Sequence, residues 1–168
     1  VLLDAARLLL PDNDIQIVLL GDGKEKSALQ ALAKEMNLSN VTFLPSVPKT
    51  EMAQALAGAD VCIAILKPID EYKTTYPNKV FDYMAAGKPV VLAIDGVIRD
   101  VVQKAHCGIF VPPGSPLELA DAIKTLAMNS DYSREMGMLG RRYLEWNFSR
   151  AVISGKLLKL LEEMVTRR

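Results

Sequence analysis

The stretch Tyr76 to Val91, YPNKVFDYMAAGKPVV, sets Asn78, Lys79 and Asp82 close behind a proline. A helix opening at Asn78 leaves main-chain amides without intrahelical partners in its first turn, and a lysine among them makes a site for an anion such as a phosphate. Asp82 follows one turn later, a carboxylate suited to accept hydrogen bonds from vicinal hydroxyls. Val80, Phe81, Met84 and Ala85 form an apolar stripe, while Asn78, Lys79, Asp82 and Ala86 fall on another face. The same residues also suit an ordinary solvated face with a Lys79–Asp82 ion pair at i, i+3, and spacing alone does not choose between the two.

A second candidate is Gly21-Asp22-Gly23, which ends the apolar run IQIVLL. Small residues there let a ligand approach the backbone, and the start of the next helix favours an anion. It is not a dinucleotide fingerprint, because Lys26 occupies the third glycine position, and taken alone it reads more readily as a tight turn. Tyr72, Lys73, Thr74, Thr75 and Tyr76 make a polar and aromatic loop, long for a strand-to-helix connection, a length that goes with function. His106, the one histidine, precedes CGIF and reads as a helix C-terminal residue, so no Ser-His-Asp or Cys-His constellation arises. Cys62 and Cys107 lack metal spacing and are expected to be reduced thiols of a cytoplasmic protein.

Positioning these residues takes strands and helices in alternation. Leu2, Leu3, Ala6, Leu9 and Leu10 recur at helical spacing until Pro11 and Asp12. Ile15 to Leu20 reads as a buried parallel strand, and Lys24 to Met36, rich in Ala, Leu, Lys and Glu, as a helix. Val41 to Leu44 is a strand, Lys49 to Ala57 a helix, Val61 to Leu66 a strand and Pro68 to Pro77 a polar loop. The helix Asn78 to Ala86 closes at Gly87, where a left-handed residue is wanted, and Pro89 prevents its continuation. A strand Val90 to Ile94, a helix Val97 to Ala105 and a short strand Ile109 to Val111 follow. Ser115 caps a helix with Pro116 first and Glu118 third. Helices Leu117 to Met128, Asp131 to Trp146 and Ser149 to Val165 complete the chain. This alternation predicts one α/β domain with a Rossmann-like, doubly wound parallel sheet, its ligand beyond the carboxyl ends of the strands. Those ends are Gly21 to Gly23, the loop after Leu44 and the loop before Asn78.

The 168 residues, half of them hydrophobic, fit one domain with a sizeable core. Twenty basic and twenty acidic residues give a net charge of zero, with no basic run beyond Arg167 and Arg168, which argues against nucleic acid as a partner. The longest apolar runs reach about half a membrane span, so a soluble chain is expected. The sequence opens inside an amphipathic helix without an initiator Met, which reads as a piece of a longer protein.

Four blocks in order, IVLLGDG, NVTFLPSVPKTEMAQALAGADVCIAIL, NKVFDYMAAGKPVV and GIFVPPGSPLELADAI, closely resemble the C-terminal half of bacterial family 4 glycosyltransferases, which have the two-domain GT-B fold. Among these the chain is similar to enzymes of O-antigen, capsule or exopolysaccharide synthesis that use UDP-activated N-acetylated sugars. The resemblance implies that this half binds the UDP-sugar donor and that a separate N-terminal half binds the acceptor. It also implies that the sugar moves with retention and that no metal or other cofactor is needed. The domain's first strand is then expected upstream of Val1, together with the Arg and Lys the family uses against the diphosphate. A lipid-linked acceptor would bring the cytoplasmic protein to the inner face of the plasma membrane, and residues 149–168 would pack back on the acceptor half, although their apolar positions equally suit this domain's own core.

Carried over residue by residue, the resemblance puts Gly21, Asp22 and Gly23 near the nucleotide. It puts the main chain of Leu44, Pro45, Ser46 and Val47 at the base, and the amides of Asn78, Lys79 and Val80 at the diphosphate. Of the family's two glutamates eight positions apart, the second, which holds the ribose, is Asp82, and the first, which contacts the sugar, is Thr74. Thr74 and Tyr76 are thus the candidate sugar contacts, and Asp70, Glu71 or Lys73 are replacements for the missing carboxylate or charge. A UDP-sugar 2-epimerase of GT-B type and a non-catalytic nucleotide-binding module remain as alternatives.

Overall fold

Val90, Val91, Leu92 and Ala93 form a strand without a polar side chain, and all four are buried. A strand of this kind needs apolar cover on both faces. Val91 and Ala93 join one core with Leu3, Ala6, Leu9, Leu119 and Ile123, whereas Val90 and Leu92 join another with Val80, Met84, Ile98 and Val102. The remainder of the chain is arranged around this two-sided strand.

A computed structural model of the chain describes residues 1–166. In order, the elements are α1 Leu2–Leu8, β1 Ile17–Leu20, α2 Lys26–Glu35, β2 Val41–Leu44, α3 Met52–Ala57, β3 Cys62–Ile65, a 3-10 turn Asp70–Thr74, α4 Asn78–Ala85, β4 Val90–Ala93, α5 Val97–Lys104, β5 Gly108–Phe110, α6 Pro116–Met128, α7 Ser130–Phe148 and α8 Arg150–Thr166. α1 and α6 cover one face, α4 and α5 the other. Most boundaries fall within one or two residues of the sequence expectation. α3 is the larger departure, starting at Met52 instead of Lys49, because residues after Pro48 form a turn in which the Glu51 amide bonds the Pro48 carbonyl. The loop Pro68 to Pro77 is also less irregular than expected, since it contains the 3-10 turn.

The strands are parallel, as the continuous apolar runs predict, but they form two sheets: β1 beside β2, and β3–β4–β5 in that order. β1 and β3 do not pair. Val18, in the middle of β1, is 55% exposed.

Two expected helix ends form as their chemistry requires. Gly87 takes φ +67°, and the Lys88 and Gly87 amides donate to the Tyr83 and Met84 carbonyls, closing α4 in a Schellman motif. The Ser115 hydroxyl accepts from the Glu118 amide at 3.4 Å and caps α6. His106 sits left-handed (φ 49°) just past α5, with its amide on the Gln103 carbonyl, as a helix-terminal residue does. Both cysteines are buried free thiols, and burial raises Cys62 to about 11 and Cys107 to about 12.

α7 reaches α4 through glycine. A Cβ on Gly137 would overlap the Gly87 carbonyl oxygen, and one on Gly140 would lie 2.7 Å from Cβ of Cys107. Alanine in a helix interior ordinarily gains about 1 kcal/mol over glycine. Here the overlap reverses the sign: Gly137→Ala is expected to destabilise by about 1–3 kcal/mol, read as a lower denaturant midpoint at unchanged m-value. α8 continues from α7 with Leu157, Leu158, Leu160, Leu161 and Met164 all half or more exposed. Of the 149–168 segment, residues 167 and 168 lie outside the described residues.

Candidate functional site

The predicted residues fall into two groups at the carboxyl ends of the strands, one on each sheet. On the first sheet, Gly21 takes φ +142°, and its amide donates to the Leu44 carbonyl at 3.2 Å, continuing the β1–β2 ladder by one bond. Asp22 then turns toward the β2 end. Its carboxylate accepts from Lys26 Nζ at 2.7 Å and from the Ser46 amide and Ser46 Oγ, each at 2.6 Å. Lys26 Nζ also donates to the Leu44 carbonyl at 2.9 Å. The Lys26 and Ser46 hydrogen bonds hold the Asp22 carboxyl far below the usual carboxylate range. Gly23 remains exposed with open space around its Cα, while Pro45 is exposed and Val47 half-buried beside Ser46.

The second group lies on the β3 side. Pro77 precedes α4 in an extended conformation and provides no side-chain cap. The Val80 amide donates to the Pro77 carbonyl at 3.0 Å, and its side chain is fully buried. Of the three amides expected to be free, Val80's is therefore engaged, and Asn78 and Lys79 hold the two without a carbonyl inside the helix. The Lys79–Asp82 pair that the i, i+3 spacing allows does not form: both side chains are exposed, and among the described residues neither is in an ion pair. Lys79 nonetheless lies against enough protein for desolvation to pull its ammonium below the ordinary lysine value.

Thr74 does not present a free hydroxyl. Its Oγ1 and that of Thr75 both donate to the Glu71 carbonyl at 3.3 Å, tightening the 3-10 turn. Lys73 pairs with Asp70 at 2.7 Å, so of the three replacements expected for the missing glutamate only Glu71 has an uncommitted side chain among the described residues. Tyr76 is 52% exposed, its ring 6.3 Å from that of Phe81, which in turn contacts Phe148 at 5.1 Å.

Behind this turn stands a brace that the sequence reading does not identify. Gly96 takes φ +99°, and a Cβ on it would overlap the main chain of Lys73. The Asp95 carboxylate accepts from the Gly96 amide at 2.8 Å and from Arg99 at 3.4 Å, and the Arg99 guanidinium stacks on Phe110 at 3.9 Å. The Gly96 hydrogen bond, then Arg99, lower the Asp95 carboxyl below its ordinary value. A cavity of about 210 Å³ lies at this junction, lined among others by Leu66, Pro68, Tyr72, Lys73 and Asp95. The Asp95-Gly96 pair following a strand is a turn signal; the close approach to Lys73 has no local one. Lys26 is the other residue missed, although its i, i+4 spacing from Asp22 was a usable signal.

The carboxyl ends of the strands thus carry two loops tied to each other through Asp22, Lys26 and Ser46 and, on the other sheet, a helix start with a lysine. Chains of known structure share this architecture. Sucrose-phosphate synthase from Thermosynechococcus elongatus aligns over 99% of the chain and 43% of its own length, with a TM-score of 0.80 and 22% identity. Anabaena Alr3699/HepE, in complex with UDP-glucose, aligns over 96% and 44%, with a TM-score of 0.80 and 21% identity. The fold is that of a GT-B transferase domain. A family model described as "Glycosyl transferases group 1" matches residues 1–129, and the chain belongs to that family. Curated relatives include a D-inositol 3-phosphate glycosyltransferase of Nocardia farcinica (strain IFM 10152), 30% identical over 82% of this chain and 32% of its own length. Another is a phosphatidyl-myo-inositol mannosyltransferase of Mycobacterium leprae (strain TN), 28% identical over 92% and 39%. The chain thus spans a third to two fifths of the length of these two relatives.

Proposed function

We propose that this chain is the donor half of a retaining glycosyltransferase: it binds a nucleoside-diphosphate sugar, with UDP as the nucleotide, and works with an N-terminal acceptor-binding half of the same protein. The observation that carries this reading is the start of α4, where the amides of Asn78 and Lys79 have no intrahelical carbonyl and Lys79 is in no ion pair among the described residues. A lysine without a carboxylate beside two such amides is suited to a diphosphate. Asp82, exposed one turn further on, is suited to the ribose hydroxyls, and the 44–47 main chain to the base.

The chemistry proposed is stabilisation of the leaving group. Positive charge and the helix-start dipole bear the charge that develops on the departing nucleoside diphosphate. No metal is invoked. With Thr74 turned onto the Glu71 carbonyl, Glu71 is the carboxylate we assign to the sugar, and Tyr76 its aromatic neighbour. The exposed leucines of α8 support packing of that helix on the acceptor half. N-acetylated donor sugars, a lipid-linked or saccharide acceptor and a peripheral cytoplasmic location are the finer parts of the same proposal. Among the described residues no helix is long and apolar enough to cross a membrane.

The test is calorimetric titration with UDP, ADP and GDP on the chain and on Asp82→Ala. UDP-selective binding, weakened in the variant by about 1–2 kcal/mol as charged hydrogen bonds to ribose are lost, is the expected outcome. No binding of any nucleotide by folded chain would sink the donor-half reading for the isolated domain. Sugar turnover by the whole protein separates a transferase from a 2-epimerase, which would convert the donor without an acceptor, and from a module that leaves the donor intact.

A further inference from the structure

Asp22 stands in a turn with its side chain 52% exposed, where a carboxylate ordinarily bonds to water. It instead receives Lys26 Nζ, the Ser46 amide and the Ser46 hydroxyl, all at 2.6–2.7 Å. The β1–β2 ladder ends at the Leu20–Leu44 pair, and these bonds extend the tie between the strands past that point, into the loops that follow. Lys26 adds a second tie through the Leu44 carbonyl, which also accepts from Gly21. The network's effect falls on the main chain of residues 44–46.

That effect decides what a ligand meets. The Ser46 amide and the Leu44 carbonyl are withdrawn into the network, and Pro45 has no N–H to offer. Among the described residues, the main-chain groups of 45–47 without a protein partner are the carbonyls of Pro45, Ser46 and Val47 and the amide of Val47. One donor beside acceptors complements a base edge that carries an N–H next to a carbonyl oxygen, as uracil does at N3–H and O4 and guanine at N1–H and O6, whereas adenine has no such pair. Releasing Asp22 would return a second donor to this edge and untie it from β1.

We propose that Asp22 and Lys26 are positioning residues that hold the 45–47 main chain as a nucleobase-reading edge, neither of them touching the nucleotide. This rests on the donor-site reading above. Because Asn78 and Lys79 belong to the other sheet, and no hydrogen bond or ion pair among the described residues links them to Asp22 or Lys26, base recognition and diphosphate recognition separate experimentally.

The experiment is titration of the chain with UDP, ADP, GDP and inorganic pyrophosphate, for wild type, Asp22→Ala, Asp22→Asn, Lys26→Met and Lys26→Arg, each verified as folded by circular dichroism. UDP affinity is expected to fall about tenfold in Asp22→Ala, and its advantage over ADP to shrink in step. Pyrophosphate affinity should stay within about twofold, Lys26→Met should follow Asp22→Ala in part, and Lys26→Arg, which keeps the charge and a donor, should stay near wild type. Asp22→Asn, which cannot pair with the lysine charge, carries the test if Asp22→Ala does not fold. Parallel loss of UDP and pyrophosphate, or an unchanged preference for UDP in the folded variants, overturns the positioning role and leaves the donor-site reading standing. A wild-type chain that binds pyrophosphate but not UDP overturns the base-reading edge alone, and one that binds neither overturns both.

Discussion

Lys79→Ala is expected to weaken UDP binding roughly ten- to a hundredfold, about 1.5–3 kcal/mol, without lowering the thermal stability of the chain. The two halves of that result have one cause. In the free protein the ammonium gains no carboxylate among the described residues and is partly desolvated, so its charged form is disfavoured in the fold and its pKa is lowered. The sign follows from linkage: a lysine whose folded pKa lies below its unfolded value detracts from stability while it is charged in both states, and the cost is relieved as pH rises through the folded pKa. Removing such a side chain takes away a cost, whereas removing a structural lysine takes away a partner. Binding runs the other way, because a diphosphate returns the missing counter-charge. UDP affinity should therefore decline with rising pH earlier than an ordinary lysine would dictate, and that decline should vanish in Lys79→Ala. Calorimetry across pH, with thermal melts of both proteins, checks all three statements; a variant that binds UDP normally would remove Lys79 from the site.

Gly96→Ala should be the most damaging single substitution near the site. The position has φ +99° and ψ −151°, which glycine alone enters readily, at a cost of about 1–3 kcal/mol for another residue. The added Cβ would also overlap the Lys73 main chain, which cannot rotate away as a side-chain tip can. Overpacking of this kind costs a further 1–3 kcal/mol or so. Either the β4–α5 turn or the 3-10 turn must move, and the latter leads directly into Thr74, Tyr76 and the start of α4. We expect a loss of about 3 kcal/mol in stability, measured by denaturation, together with weakened UDP binding. An alanine variant with wild-type stability would show that the Lys73 main chain does not press on residue 96.

What was legible in the sequence was whatever is decided within a few residues. Apolar runs marked the strands, Gly87 and Ser115 marked helix ends by their own conformational chemistry, and proline marked the start of α4. Contacts set by sheet register were not legible. Lys26 enters the sequence reading only as the residue that spoils a glycine fingerprint, because Ser46, the other group bound to its partner Asp22, stands 24 positions from that carboxylate and reaches it through the pairing of β1 with β2. Gly96 and Lys73 meet for the same reason, across β3–β4. Thr74 and Val80 show a different limit: homology-style mapping placed them at the sugar and diphosphate, but local turn bonding uses the hydroxyl of one and the amide of the other.

The separation of β1 from β3 has a consequence for how the molecule meets its surroundings. Along a parallel strand successive amides point to opposite sides. Ile17 and Gly21 donate toward β2, and Cys62 toward the β4 side, so the amides of Val18, Leu20, Ile63 and Ile65 face away from those ladders. A sheet normally keeps its unsatisfied hydrogen-bonding margins at its outer rims, where short strands, charges and bulges guard them. Here two such margins, one on β1 and one on β3, are flanked by valine, leucine and isoleucine instead of charges or bulges.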